Sequence, residues 1–295
     1  MRVFVTGASG HIASAVIPEL RQAGHEVAGL ARSDASARAV SALGAAVVRG
    51  DLADLDGLRA AAAAADAVVH LAFDHATMMA GDFPGAVATD RAVIGAFADA
   101  LAGTGKALIG VGLAASGDTT VNAVAAANPR HGLAAEIAAL TGRGVRSMLV
   151  AIPPVVHSDR DRHGFIPMLI GIARKTGVSG YAGDGANTWP AAHTLDVARL
   201  YRLALEQAPA GAQLYAATEE GIPVRDIAEA IARHLGIAAR GIPDDEIGAH
   251  FGAFRFIGMG LTMPNESTRR LLDWKPEHPG LIADLDEGHY FEARG

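Results

Sequence analysis

The side chains of this sequence that could move a proton near neutral pH are its histidines, twelve in number. An imidazole has an ordinary pKa close to 6.5, so it can donate or accept a proton under physiological conditions. Our candidates for this chemistry are His193 and His131, with the hydroxyl of Ser116 as a hydrogen-bond donor to a substrate oxygen. Plainer roles are open for each: His193 could cap a helix, His131 could face solvent, and Ser116 could belong to a turn.

Two other kinds of site are excluded by residue type and spacing. The chain has no cysteine, which excludes a disulfide framework, a thiolate nucleophile and Cys-ligated zinc. None of the histidines falls in a metal-ligand spacing such as His-Glu-x-x-His. We therefore predict no metal site.

A stretch near the N-terminus, Thr6-Gly-Ala-Ser-Gly-His-Ile-Ala13, has the form of a nucleotide-binding turn. It follows an apolar strand-like run and precedes a helical pattern, which is the context that a dinucleotide fingerprint requires. Gly7 permits a tight turn, and Gly10 lets the backbone approach a diphosphate whose charge is favoured by the helix N-terminus. Ala13 stands in place of a third glycine, where a small side chain is sufficient for helix–strand packing.

The end of the second strand-like run indicates which dinucleotide is bound. An NAD-selective protein places Asp or Glu there to bind the ribose 2′-hydroxyl, whereas this chain has Ala31-Arg32-Ser33. Arg32 and Ser33 could hold a 2′-phosphate, so we predict NADP (NADPH) as the cofactor. A solvated Arg32 at a strand end is the plainer interpretation, and Asp34 is the nearby carboxylate that would favour NAD.

These residues are positioned by apolar runs that alternate with Ala-rich helical patterns through the first half of the chain. The runs are apolar throughout, which indicates a parallel sheet covered on both faces. Right-handed connections then give an α/β fold with a doubly wound parallel sheet (Rossmann). The predicted strands are Val3–Thr6, Glu26–Leu30, Ala45–Arg49, Ala67–Leu71, Ala107–Gly112 and Ser147–Ile152, and helices are predicted near 11–22, 34–43, 55–64, 84–103 and 132–141.

The pattern loosens after Pro153-Pro154, and we predict a smaller C-terminal substrate lobe there. The predicted boundaries are 1–152 for the dinucleotide-binding domain and 153–295 for the lobe, with segments that could cross back onto the Rossmann sheet. Within the lobe we expect a helix around 165–175, a Gly-rich loop over 180–187, a helix from near Asp196, a short strand around 213–216 and helices near 224–235 and 267–272.

Composition narrows the class of protein and its partners. Of the 295 residues 50% are apolar and 19% are charged, which is ordinary for a folded globular protein. The net charge is −7 and the basic residues are scattered, so neither nucleic acid nor an anionic membrane is expected as a partner. No apolar run approaches the length of about 18 residues that spans a bilayer, and the N-terminus has a strand pattern instead of a secretory leader. We expect a cytoplasmic protein with a small-molecule substrate.

Several short motifs, taken in their order along the chain, resemble the extended short-chain dehydrogenase/reductase family, also called the NAD-dependent epimerase/dehydratase family. The resemblance covers nearly the whole chain, and the order of the motifs is more specific than any one of them. The motifs are Thr6-Gly-Ala-Ser-Gly-His-Ile12, Gly50-Asp51-Leu52, Val69-His-Leu-Ala72, Ile152-Pro-Pro-Val-Val-His157, His193-Thr-Leu-Asp-Val-Ala198, Thr268-Arg-Arg-Leu-Leu-Asp-Trp-Lys-Pro276 and Pro279-Gly-Leu-Ile-Ala-Asp-Leu285. The resemblance also implies a homodimer through the helices near 84–103 and 131–141.

The resemblance further implies which residues hold the cofactor. The segment from Leu71 to Phe73 would line the ribose side, and Pro153 to Val156 would pass beside the nicotinamide. Asp51 could border the adenine and could equally cap the next helix. The predicted cofactor-binding residues are Gly7, Ser9, Gly10, His11, Ile12, Arg32, Ser33, Asp51, Leu52, Leu71, Ala72, Phe73, Gly112, Pro153, Val155 and Val156.

The catalytic pair that redox members of the family usually carry is absent. Those members use Tyr-x-x-x-Lys, in which the Tyr exchanges a proton with the substrate oxygen and the Lys lowers the Tyr pKa, plus a Ser or Thr after the fifth strand. No tyrosine precedes Tyr181. If Glu136 keeps the helical register of the family, Asn128 and Gly132 occupy the Tyr and Lys positions. The lysines, none of which lies four residues after a tyrosine, are Lys106, Lys175 and Lys275.

The predicted substrate pocket draws on the lobe and on loops after the strands. In the stretch Asn187-Thr-Trp-Pro-Ala-Ala-His193, Trp189 could form an aromatic wall, with packing in the lobe interface as the alternative. His70 ends an apolar strand and is expected to be a satisfied core residue. The predicted pocket residues are His75, Met78, His157, Met168, Trp189 and His193.

These features predict an NADP-dependent oxidoreductase with a divergent active site that reduces a small carbonyl, imine or activated alkene. Hydride transfer belongs to the cofactor, so the loss of Tyr and Lys is tolerated where the acceptor needs little proton assistance or where water or His supplies the proton. A non-catalytic NADP-binding sensor or regulatory protein, and a lyase or isomerase, are the alternatives, because a fold does not fix a function.

Overall fold

A parallel sheet of seven strands is the largest element of the computed structural model, which describes residues 1–112 and 130–292. Its strands are β1 (Arg2–Thr6), β2 (Glu26–Ala31), β3 (Ala46–Arg49), β4 (Ala67–His70), β5 (Ala107–Gly112), β6 (Arg146–Ala151) and β10 (Gln213–Tyr215). They lie in the order β10-β6-β5-β4-β1-β2-β3, and every neighbouring pair is parallel. The predicted doubly wound Rossmann sheet is confirmed.

Helices connect the parallel strands and cover both faces of the sheet. In β1 the neighbouring side chains face opposite layers: Val5 packs with the layer that contains Val16 and Leu20, while Phe4 packs edge-on against Phe97 at a ring separation of 6.3 Å. The first helices are α1 (Ala13–Gln22), α2 (Asp34–Ala42), α3 (Leu55–Ala64), α4 (His75–Met79), α5 (Phe83–Leu101) and α6 (Arg130–Ala139), and the 3₁₀ turn Leu140–Arg143 follows α6. None of the helices among the described residues has both the length and the hydropathy needed to cross a bilayer.

The C-terminal portion forms a smaller lobe around a second apolar cluster. Its strands are β7 (Val155–His157), β8 (Val178–Ala182), β9 (Thr188–His193), β11 (Glu219–Pro223) and β12 (Ala238–Ile242). β9 lies between β7, which is parallel to it, and β11, which is antiparallel, while β8 and β12 form a separate parallel pair. The helices are α7 (Phe165–Thr176), α8 (Thr194–Gln207), α9 (Val224–Leu235), α10 (Ile247–Phe251), α11 (Glu266–Leu272) and α12 (Leu281–Asp286), with the 3₁₀ turn Gly252–Gly258.

The chain crosses from the lobe back onto the large sheet. β10 pairs in parallel with β6, and α8 packs beside α1 on one face of that sheet. The lobe and the dinucleotide-binding portion therefore share one sheet layer.

Two local expectations are corrected by the structure. The stretch expected to be a Gly-rich loop begins as β8, where a Cβ at Gly180 would lie 2.6 Å from the Nε2 of His250, so glycine permits close packing inside a strand. Asp51 does not cap the next helix. Asp54 is the N-cap of α3 and accepts from the backbone N–H of Gly57, whereas Asp51 accepts from the N–H of Ala53.

Candidate functional site

The carboxyl ends of the parallel strands bring most of the predicted cofactor residues to one edge of the large sheet, the usual place for a ligand in an open α/β sheet. The residues at this edge follow β1, β2, β3, β4 and β6, except Gly112, which ends β5. Val155 and Val156 differ, because they lie in β7 and their side chains are buried in the two hydrophobic cores. The residues placed at the edge are Gly7, Ser9, Gly10, His11, Ile12, Arg32, Ser33, Asp51, Leu52, Leu71, Ala72, Phe73, Gly112 and Pro153.

The turn after β1 depends on glycine. Gly7 has φ +64°, and a Cβ there would lie 2.8 Å from both the backbone N of Ala72 and the carbonyl carbon of Leu71. The turn is closed by a hydrogen bond from the N–H of Gly10 to the carbonyl of Gly7 at 2.8 Å. A side chain at Gly7 would therefore be strained in conformation and would collide with the end of β4.

The N-termini of α1 and α8 lie side by side at this turn. The Nε2 of His11 is 2.8 Å from the hydroxyl oxygen of Thr194, and Arg202 donates to Glu19 at 2.7 Å. Both contacts join residues 183 apart in sequence, so the two helices run parallel and in register. Two helix N-termini point toward one edge, and each contributes positive potential that favours an anion such as a diphosphate.

The segment that follows β2 begins with a basic residue, Arg32. Arg32 is exposed, and its charge helps to hold the pKa of Asp74 below the ordinary value, after the larger contribution of hydrogen bonds from Thr77. The Ser33 hydroxyl caps α2 and accepts from the N–H of Ser36 at 3.2 Å. Asp34 is the first residue of α2 and forms an ion pair with Arg49 on β3.

A buried hydrogen-bonded chain connects the turn after β1 with α5. Thr6, His70 and Asp90 are 0%, 3% and 6% exposed. The Thr6 hydroxyl oxygen lies 2.6 Å from His70 Nδ1, and His70 Nε2 lies 2.8 Å from an Asp90 carboxylate oxygen. The backbone N–H of Ala72 donates to Thr6 Oγ1 at 3.2 Å. The expectation that His70 is a satisfied core residue is confirmed.

A cation lies over the aromatic side chain that follows β4. The guanidinium of Arg130, the first residue of α6, is 4.2 Å from the ring centre of Phe73. Burial lowers the pKa of Arg130, while the charge of Asp90 acts in the opposite direction. His75 keeps an exposed surface, but partial desolvation, followed by the Arg130 charge, lowers its pKa, so its neutral form is favoured.

His193 lies in a row of three imidazoles at the start of α8. Its ring is stacked on that of His278 at 4.7 Å with an interplanar angle of 8°, and it meets His157 edge-on at 5.4 Å. Its Nδ1 accepts from the N–H of Leu195, so the predicted helix-capping alternative is confirmed. Burial, followed by the His157 charge, lowers the pKa of His193 to about 4. At neutral pH the side chain is therefore uncharged.

Carboxylates flank this row of histidines. Asp196 accepts from the backbone N–H of Glu277 and lies 2.9 Å from the Nδ1 of His278. His193, Asp196 and His278 could hold a metal by proximity alone. An imidazole lone pair lies in the plane of its ring, however, and two parallel stacked rings cannot aim at one ion. Asp284, Glu287 and His289 form a second group whose ligand atoms lie close enough to hold a metal. The buried carboxylate of Asp284, however, lies 2.9 Å from the Nδ1 of His157.

Two predicted pocket residues are too deeply buried to contact a substrate directly. Trp189 is 1% exposed, and its indole N–H donates to the Met259 carbonyl at 2.8 Å inside the lobe. His157 is 0% exposed and is held by Asp284. Phe256, stacked on Trp189 with ring centres 6.1 Å apart, is exposed, and Phe165, which contacts both rings, is half-buried. For Trp189 the packing alternative holds, with the lobe interior as the place of packing.

The other predicted site residues lie in separate places. His75 is exposed at the start of α4, Met78 is half-buried in the same helix, and Met168 is exposed on α7. His131 is the second residue of α6. Ser116 lies outside the described residues.

Sequence reasoning missed Asp90 and Arg130. A usable signal exists for Asp90, because it interrupts the buried stripe of α5 that contains Val87, Ile94 and Phe97. A charged residue on an apolar helix face needs a buried partner, which in this structure is His70.

Known proteins resemble this chain in its N-terminal region and over its whole length. Residues 3–94 match the model of the NAD dependent epimerase/dehydratase family. An uncharacterized protein of Schizosaccharomyces pombe is 38% identical over 310 residues, which cover 99% of this chain and 100% of that protein.

Two solved structures share the fold at low sequence identity. One is a dTDP-glucose 4,6-dehydratase from Streptomyces venezuelae with NAD and TYD bound, with a TM-score of 0.73 and 20% identity over 97% of this chain and 96% of that one. The other is a UDP-glucose 4-epimerase from Thermus thermophilus in complex with NAD, with a TM-score of 0.72 and 20% identity over 100% of both chains.

Proposed function

The chain belongs to the extended short-chain dehydrogenase/reductase (NAD-dependent epimerase/dehydratase) family, and we propose that it is an NADP-dependent oxidoreductase that reduces a small carbonyl, imine or activated alkene. Fold neighbours of this chain are dehydratases and epimerases solved with NAD, which supports an enzyme that uses a nicotinamide dinucleotide. The proposal of a reductase rests on the cofactor edge of the sheet.

The residues at that edge fit a dinucleotide. A Cβ at Gly7 would fill the space against Leu71 and Ala72, and one at Gly10 would lie 3.0 Å from the Gly7 carbonyl oxygen, so both glycines keep backbone surface accessible. The parallel N-termini of α1 and α8 would hold the diphosphate. A bound nicotinamide dinucleotide supplies the hydride that the reaction requires.

The observation that supports a preference for NADP is the exposed Arg32 directly after β2. Arg32 lies near enough to Asp74 to help lower the pKa of that carboxyl. Asp34, the first residue of α2, is paired with Arg49. A guanidinium binds phosphate through paired N–H donors. Arg32 would therefore hold a 2′-phosphate, whereas Asp34, the acidic residue nearest to it in the sequence, is engaged with Arg49. The Ser33 hydroxyl is engaged in capping α2, so Arg32 carries most of the preference.

On the substrate side, the described residues position rather than protonate. His193 is neutral at pH 7 and its Nδ1 accepts a backbone hydrogen bond, which favours a structural role over that of a proton donor. Phe73, with Arg130 over its ring, presents an apolar face with a positive charge at the end of β4. We keep His131 and Ser116 as the proposed proton donor and hydroxyl, beside water, for an acceptor that needs little proton assistance.

Titration calorimetry with NADPH and NADH tests the proposal. We expect NADPH to bind more tightly, and Arg32→Ala to weaken NADPH binding about 10- to 100-fold while NADH changes little, because hydrogen bonds to a charged group contribute about 1.5–3 kcal/mol. Arg59→Ala is the matched control, since Arg59 is a half-exposed arginine on α3 paired with Asp56. Equal affinities of the wild type for the two dinucleotides would contradict the NADP preference.

The missing Tyr-x-x-x-Lys pair favours a second candidate, a non-catalytic NADP-binding sensor or regulatory protein. A lyase or isomerase would differ from both, because its activity would proceed without net oxidation of the cofactor. Oxidation of NADPH with a panel of carbonyls, imines and activated alkenes separates the first two. Tight NADPH binding with no turnover of any of these substrates would favour the sensor.

A further inference from the structure

Building on the proposed cofactor site, we infer that Asp90 is a positioning residue: through His70 and Thr6 it holds the nucleotide turn against the end of β4. Asp90 lies on α5 and does not reach the edge of the sheet itself. It acts through a chain of hydrogen bonds in which no member is more than 6% exposed.

The contacts define the direction of each hydrogen bond when Asp90 is ionised and His70 is neutral. The Ala72 N–H donates to Thr6 Oγ1 at 3.2 Å. The Asp90 carboxylate accepts from His70 Nε2–H at 2.8 Å, which leaves Nδ1 unprotonated. The Thr6 hydroxyl then donates to Nδ1 at 2.6 Å. The carboxylate thus selects the imidazole tautomer that orients the hydroxyl.

The chain ends at the junction on which the nucleotide turn depends. Thr6 immediately precedes Gly7, and a Cβ at Gly7 would lie 2.8 Å from the same Ala72 nitrogen that donates to Thr6. Two segments of the proposed cofactor site, 6–13 and 71–73, are therefore joined at one point. A change in the His70 tautomer would turn the Thr6 hydroxyl and leave a donor or acceptor unpaired in a buried place.

The burial of Asp90 supports a positioning function. It shares its helix face with Val87, Ile94 and Phe97, where an apolar residue would pack without the desolvation penalty of a carboxylate. Asp90 also attracts Arg130 electrostatically. The test must therefore separate the loss of charge from the loss of the hydrogen-bond acceptor.

Binding of NADPH to four variants provides the first measurement. Thr6→Val and Asp90→Leu break the chain, and each is expected to weaken binding about tenfold, equivalent to about 1.4 kcal/mol. Asp90→Asn keeps an acceptor for His70 but removes the charge, and we expect it to stay within threefold of the wild type, roughly 0.7 kcal/mol. Thr268→Val is the matched control, because buried Thr268 accepts from the Tyr215 N–H at 2.7 Å in α11, away from the turn.

The second measurement is the tautomer of His70 by ¹⁵N NMR of the cofactor-free protein at pH 7, a signature that a purely structural role would not move. We expect Nε2–H in the wild type and in Asp90→Asn, and a loss of this preference in Asp90→Leu. A wild-type His70 protonated at Nδ1 would overturn the inference, as would unchanged NADPH binding in Thr6→Val or a Thr268→Val defect of equal size. If the wild type bound neither NADPH nor NADH, the proposed function would fail together with the inference, whereas binding that is insensitive to Thr6→Val removes the inference alone.

Discussion

The Nε2 of His11 lies 2.8 Å from the hydroxyl oxygen of Thr194, and this contact joins the turn after β1 to the first residue of α8. Thr194 donates to the His157 carbonyl at 3.0 Å and accepts from the Ser158 hydroxyl at 2.9 Å. The Thr194 oxygen accepts hydrogen bonds from His11 and Ser158, while its proton is donated to the His157 carbonyl. Every hydrogen-bonding group of this hydroxyl is therefore used. One side chain thereby connects three segments that are distant in sequence.

Removal of this hydroxyl should destabilise the fold more than the loss of an ordinary hydrogen bond. We expect Thr194→Val to lower the free energy of unfolding by about 2–4 kcal/mol, because it leaves polar groups on buried His157, buried Ser158 and half-buried His11 unpaired, and Thr194→Ser to restore most of the loss. Denaturant unfolding at pH 7 measures the effect. Thr188→Val is the control, since Thr188 makes one side-chain hydrogen bond, to Leu261. Equal losses in the Thr194→Val and Thr188→Val variants would contradict the prediction.

Gly7→Ala should abolish cofactor binding while the protein stays folded. Both Gly7 and Gly24 have positive φ, at +64° and +83°, so an alanine at either position brings a similar conformational cost of about 1 kcal/mol. Only at Gly7 would the new Cβ collide with backbone, since nothing lies within 4 Å of one at Gly24. Titration with NADPH should therefore show loss of binding for Gly7→Ala but not for Gly24→Ala, while thermal melts should show both variants folded. Comparable NADPH binding by the two variants would refute the prediction.

Stability should fall on acidification because of His193. Its pKa is about 4 in the folded protein and 6.5 in the unfolded chain, so below pH 6.5 the unfolded state binds the extra proton. The contribution of neutral His193 to the free energy of unfolding is complete above pH 6.5 and is lost as the pH falls to about 4. At 1.36 kcal/mol for each pKa unit, it amounts to at most about 3 kcal/mol.

A variant isolates this contribution from the other groups that face His193, which are His157, His278, Asp196 and Asp284. His193→Asn removes the titrating ring and retains a side-chain oxygen that can cap α8. Between pH 8 and pH 4 the unfolding free energy of the wild type should fall by more than that of His193→Asn, by up to about 3 kcal/mol. A constant difference across that range would show that His193 does not titrate as described.

The first half of the fold could be predicted from the sequence because its signals are local. Apolar runs such as Val3–Thr6 and the helical pattern near 55–64 correspond to β1 and α3 to within a residue. The strand β8 cannot be predicted from the sequence, because Gly180 and its neighbours have the composition of a loop and the strand forms by pairing with β12. Its stability comes from partners that are distant in sequence.

The site illustrates the same limit. The turn at Gly7 follows from spacing, but the partner of His70 is Asp90 on another helix, and His157 is bonded to Asp284, 127 residues away. Residue type alone predicts that Trp189 and His157 contact a substrate, whereas both side chains are buried. Their burial is set by the packing of the lobe, which no short motif encodes.

The parallel pairing of β10 with β6 has a consequence for truncation of this protein. A strand from 213–215 completes the sheet begun by the first 152 residues, and removal of everything after 152 would leave β6 as an open edge prone to aggregation. The C-terminal portion is therefore not a separable unit, because the large sheet is complete only when residues 213–215 are present.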